Sequence, residues 1–124
     1  MASELRVNTL KDASGNNSVA MSFVSNGSAK VYLLSNSGAA ASASLNVSGM
    51  TDNGTGDYTT SFSSAFGSTN YAHSLSPSKE TGDVTVGTNI VSRLAGSLRN
   101  ECARDNSVLT DSGSFCASMF GDLA

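Results

Sequence analysis

The chain has 124 residues, the length of a single domain, and a formal net charge of −3 from 7 Lys and Arg against 10 Asp and Glu. A balance without clustered Lys and Arg excludes a nucleic-acid surface, because no stretch can displace phosphate counterions. Charged residues are 14% of the sequence, while Ser, Thr, Asn and Gly fill nearly half of it, so the expected surface works by hydrogen bonds rather than by charge.

In chain order, period-two alternation recurs almost throughout. Val19, Met21 and Phe23 alternate with Ser18, Ala20 and Ser22. Val31 and Leu33 alternate with Lys30, Tyr32 and Leu34, and Leu45 and Val47 with Ser44, Asn46 and Ser48. Tyr58, Thr60 and Phe62 share a face, as do Tyr71, His73 and Leu75, then Val84 and Val86, then Phe115, Ala117 and Met119. Turn-forming clusters separate these runs at 12–17, 25–27, 35–38, 51–56, 66–68, 76–82 and 111–113. Short strands at such spacing predict an all-β fold, an antiparallel β-sandwich or small barrel. Ile90 to Arg104 is ambiguous, with apolar residues near helical spacing. Gly96 favours instead two strands around a Gly96-Ser97 turn.

Leu, Ile, Val and Phe make up about one-fifth of the chain and Trp is absent, which leaves a lone subunit a thin core. Several copies sharing apolar faces, a homotrimer, would relieve this. Residues 1–42 carry very short side chains and read as stalk-like or anchoring strands, with 43–124 as the head. There is no basic start followed by an apolar run of ~7–15 residues, and no run of ~18 apolar residues. The expectation is a soluble protein made in a cytoplasm, without membrane insertion.

The stretch TDNGTGDY, 51–58, is the densest turn chemistry in the chain. As a calcium loop starting at Asp52 it fails, because positions 3, 5 and 12 are Gly54, Gly56 and Ser63. As a phosphate loop it lacks the required Lys. As a turn it fits: Asn53 and Gly54 at the positive-φ corners of a type I′ hairpin, Asp52 bonding backbone N–H groups two residues on, and Gly56 permitting a bulge.

No catalytic constellation emerges. His73 lies on a strand without a G-x-S-x-G elbow, and no two carboxylates stand out as a glycosidase pair. The expectation is no enzyme and no cofactor. With one His and no C-x-x-C, no zinc site is expected, and Cys102 and Cys116 read as buried thiols or as a disulfide. Arg93, Arg99 and Arg104 read as a solvated face. Tyr32, Tyr58 and Tyr71 beside Asn, Ser and Thr are the groups a saccharide site would use, so a glycan is a candidate ligand.

Ser44 to Ala72, SLNVSGMTDNGTGDYTTSFSSAFGSTNYA, resembles a segment of bacteriophage tail fibre and tail-associated proteins, notably of marine and cyanobacterial phages. GSFCASMFGD at the C-terminal end resembles the closing strand of those domains, and SELRVNTLKDASGNNSVAM their N-terminal repeats. The resemblance implies a non-catalytic virion protein, assembled as a homotrimer in the host cytoplasm and involved in attachment to the host surface. It implies other virion proteins as partners. Tail fibres are usually longer, which keeps a capsid decoration or head-fibre role as the alternative, and the two cysteines depart from the pattern.

Overall fold

Residues with a polar–apolar alternation become strands here wherever one face finds a core to face. The computed structural model describes residues 3–36, 39–78, 86–104 and 107–124. The face expected for Val84 with Val86, most of the 76–82 turn and the second half of the 35–38 turn lie outside them. Ten strands and one helix follow in order: β1 Thr9–Lys11, β2 Ser18–Ala20, α1 Met21–Gly27, β3 Ala29–Asn36, β4 Ala40–Leu45, β5 Val47–Gly54, β6 Asp57–Phe62, β7 Ala72–Pro77, β8 Val86–Leu94, β9 Ser97–Arg104 and β10 Ser114–Phe120. They form two four-stranded antiparallel sheets, ordered β4-β3-β10-β7 and β5-β6-β9-β8, and a two-stranded β1-β2 hairpin. The protein is mostly antiparallel β, as expected.

Both sheets supply the same core. Val31 and Leu33 of β3 with Phe115, Ala117 and Met119 of β10 meet Phe62 of β6, Leu98 of β9, and Phe66 and Tyr71 from the β6–β7 connection. The expected faces of β3, β6, β7 and β10 are found: in β3 and β10 buried and outward residues alternate without interruption. Three aromatic rings carry much of the bulk. Phe66 stacks on Tyr71 at 4.2 Å, and Phe62 meets both edge-on. The ambiguous 90–104 segment is the expected strand pair, with the reversal on Ala95 and Gly96 between β8 and β9.

Two expected strands are corrected. Val19, Met21 and Phe23 do not share a strand, because β2 ends at Ala20 and Met21–Gly27 is helical. Alternation specifies a strand only where one face is buried, and neither β2 nor α1 has a buried residue. Leu45 and Val47 likewise do not share a strand. Asn46 between them adopts φ +57° and carries the chain from one sheet to the other. Asn is among the few side chains that tolerate that region. Its amide takes the place of a strand: Nδ2 donates to the Ser64 carbonyl at 3.0 Å, and Oδ1 accepts from the Ser64 N–H at 2.6 Å.

The boundary proposed between 42 and 43 falls inside β4, and β3 on its N-terminal side is an interior strand paired with β10 over seven positions. Residues 3–28 stand apart from that sheet. Their hairpin turn is held by Asp12, whose carboxylate accepts from the Ser14 hydroxyl, the Asn16 N–H and the Asn17 amide.

Candidate functional site

Three places concentrate chemistry: the 51–58 turn, a cavity at the 66–71 loop, and the outward face of the β4-β3-β10-β7 sheet.

The turn is built differently from the type I′ expectation. The reversal falls on Thr55 and Gly56, between paired Gly54 and Asp57, and Asn53 has no positive φ. Asp52 does what was expected of it, accepting the Gly54 N–H at 2.9 Å. A bulge lies between Asp52 and Gly54 instead of after Gly56. The cause of the shift is remote in sequence. Asp111 Oδ1 accepts from the Gly56 N–H at 2.7 Å and from the Tyr58 hydroxyl at 2.9 Å, while the Gly56 carbonyl accepts the Cys102 N–H at 2.6 Å. Burial and the facing Asp111 carboxylate push the Tyr58 hydroxyl well above its usual pKa, so it stays a donor. Asp111→Ala strands two donors of this network, and the expected loss is about 2 kcal/mol in a urea melt; an unchanged midpoint would mean water replaces the carboxylate at no cost.

On the outer side of the same turn, Asp57 is clamped by Arg99 Nε at 2.9 Å and by a second bond from Nη2, with Asn53 Nδ2 donating to Asp57 and, at 2.8 Å, to Thr59 Oγ1. The Arg99 guanidinium holds the Asp57 carboxyl below its ordinary 3.8. A carboxyl with a lowered folded-state pKa contributes stability that is complete above 3.8 and is lost as pH falls through the lowered value. Arg99→Met should therefore shrink the acid-side drop in melting temperature below pH 4, leaving its neutral-to-alkaline profile parallel to the parent. Parallel curves at acid pH as well would remove Asp57 from the acid response.

The cavity, about 310 Å³, is lined by Phe66, Gly67, Ser68, Asn70, Tyr71 and Asp122. Its polar groups are a hydroxyl, an amide and a carboxylate, the groups that bond sugar hydroxyls. Its two rings, however, are buried in the core and offer no flat face. Tyr58 is covered as well, so of the three tyrosines singled out only Tyr32, 46% exposed, presents its ring to solvent.

His73 sits half-buried on β7, its pKa lowered by burial and then by Arg93, and its Nδ1 has no hydrogen-bond partner among the described residues. Arg93 lies over the Tyr71 ring at 5.7 Å, Arg99 is taken up by Asp57, and Arg104 ends β9. Cys102 and Cys116 are free: Cys102 is buried on β9, where burial raises its thiol pKa, and Cys116 is exposed on β10 of the other sheet. Among the described residues no three His, Cys, Asp or Glu side chains gather as metal ligands.

The third place was missed by sequence reasoning. On β3, Val31, Leu33 and Ser35 point inward, so Tyr32 and Leu34 point outward. Strand register extends this into two rows, Ala43–Leu34–Cys116–Ser76 and Leu45–Tyr32–Ser118–Ser74. Leu34 is 40% and Leu45 47% exposed. The signal was present in VYLL at 31–34, apolar on both faces of one strand, which is the pattern of a strand covered on both sides.

The chain was compared with family models, curated proteins and solved structures. None matches.

Proposed function

We propose that this chain is a non-catalytic structural protein of a bacteriophage virion, a homotrimeric β-sandwich in a tail fibre or tail tip that takes part in attachment to the host surface. The observation that carries the reading is the N-terminal segment. Two three-residue strands and a seven-residue helix hold no buried residue, and Phe23 is 73% exposed. A lone hairpin of that size and a helix of two turns are both marginal in water. Copies wound about a common axis would give Leu5, Leu10, Val19, Phe23 and Val24 a shared interior, as a stalk does. The resemblance of 44–72 to tail-fibre segments supports the same conclusion, and the hydroxyl- and amide-rich surface suits a saccharide-coated host.

Two measurements test it. Light scattering on a size-exclusion column should give a mass near three chains, and labelled protein should bind host cells at micromolar concentration. A trimer that binds particles lacking it and ignores cells would transfer the protein to the capsid-decoration role. A monomer that binds neither would end the virion reading.

A further inference from the structure

We infer that the seam between β7 and β8 is a proton-sensitive latch, held shut through Tyr71 and loosened when His73 takes up a proton beside Arg93. The two strands are edges of different sheets and lie against each other. Among the described residues no ladder of backbone hydrogen bonds joins them, so side chains hold this seam. The Tyr71 hydroxyl, at the entry to β7, lies 3.1 Å from the Leu94 carbonyl and 3.2 Å from the Ser97 carbonyl, on either side of the β8–β9 reversal. Its single proton therefore ties the start of β7 to the other sheet. The Arg93 guanidinium covers the same ring at 5.7 Å.

His73 follows on the inward side of β7, paired in register with the fully buried Met119 of β10. Its Nδ1 is buried and bonded to nothing among the described residues. A neutral imidazole loses one bond there, whereas an imidazolium must donate from both nitrogens and finds no acceptor at Nδ1. The groups around it add to the cost. β8 brings Arg93, a like charge to the imidazolium, and no carboxylate offsets the pair. The 66–71 loop brings Tyr71, whose hydroxyl burial keeps protonated. β10 brings Met119, with its Cys116 on the opposite, exposed face, and Asp122 beyond it lines the cavity at the loop. Burial first and Arg93 second lower the imidazole below its ordinary 6.5. The unfolded chain therefore binds this proton first, so stability is complete above 6.5, falls as pH drops below it, and levels out under the lowered value. Opening the seam gives the imidazolium water at the cost of the Tyr71 bond, and leaves the ladders of both sheets intact. The surface shown in mild acid then includes the Tyr71 ring, which is covered at neutral pH.

The chain has one histidine, so its imidazole gives a single titrating signal in proton NMR of the full-length protein. That signal should titrate below the ordinary 6.5. Between about pH 7 and about pH 5, amide exchange in β7 and at Leu94 and Ser97, corrected for its intrinsic pH dependence, should accelerate several-fold while Leu98 stays protected. His73→Gln, uncharged throughout, should remove the acceleration. Arg93→Gln should reduce it and is the second variant should the first not fold. Titration at or above 6.5 overturns the latch, as does exchange that stays flat across the range or accelerates equally in both variants. Acceleration that reaches Leu98 to the same extent also overturns it, because His73 would then weaken the whole fold and not one seam.

Discussion

Gly56→Ala is expected to cost about 3–4 kcal/mol in equilibrium unfolding, an unusually large effect for adding one methyl group. Two penalties add. Gly56 has φ +68°, where a side chain is strained. A Cβ there would also stand 2.6 Å from the Cys102 and Thr110 carbonyl oxygens and 2.8 Å from the Thr110 N–H nitrogen. These are backbone atoms, so relief requires the turn to withdraw from β9 and the 107–112 segment. Withdrawal breaks the Cys102 N–H to Gly56 carbonyl bond and the Asp111 bond together. Gly54→Ala, strained at φ +134° with nothing within 4 Å, should cost less, about 1–2 kcal/mol. Gly96→Ala, with open space and no positive φ, should stay within about 0.5 kcal/mol. The ordering of the three is the test, and a Gly56→Ala midpoint no lower than that of Gly54→Ala would refute the close approach.

Phe66→Ala should cost about 3–5 kcal/mol, as large buried aromatic truncations do. Phe66 is 2% exposed, stacks on Tyr71 with the planes 15° apart and meets Phe62 at 5.4 Å. Its loss should also free the C-terminal segment, which is tied to the same loop by the Gly67 N–H to the Asp122 carbonyl, the Ala124 N–H to the Ala65 carbonyl, and a bridge between Phe66 and Leu123. Amide exchange at Gly67 and Ala124 should therefore accelerate under conditions where Leu98 and Met119 remain protected. Phe66→Leu, which keeps most of the volume, should recover more than half of the loss. Uniform exchange at all four sites would mean the loop and the core open as one unit.

What the sequence makes legible follows from where burial enforces a pattern. β3, β6, β7 and β10 could be read by alternation because one face of each meets the core. The same rule misled at 18–23, where nothing is buried, and at 44–48, where a single left-handed Asn interrupts an otherwise regular alternation. The 51–58 turn was recognisable as a turn, but not its corner. The local preference of Asn-Gly yields to Asp111, fifty-five residues from Gly56, and no local rule carries that contact. The outward face stayed hidden for a related reason. Alternation already set Tyr32 and Leu34 opposite Val31 and Leu33, but which residues of β4, β10 and β7 continue their face is fixed by long-range strand pairing, which no local rule carries.

The strand order has a temporal consequence. β10 lies between β3 and β7 in its sheet, yet it is synthesised after every other described strand. Until residues 114–120 leave the ribosome, β3 and β7 have no partner in common, and Val31 and Leu33 have no finished core to enter. The pairing of β3 with β10 closes about eighty residues of chain, a slow step for a small domain. The incomplete chain exposes open strand edges and is prone to aggregate. This sheet therefore stays open at its centre until the last described strand is made, and the cooperativity of the whole fold depends on the segment that arrives latest.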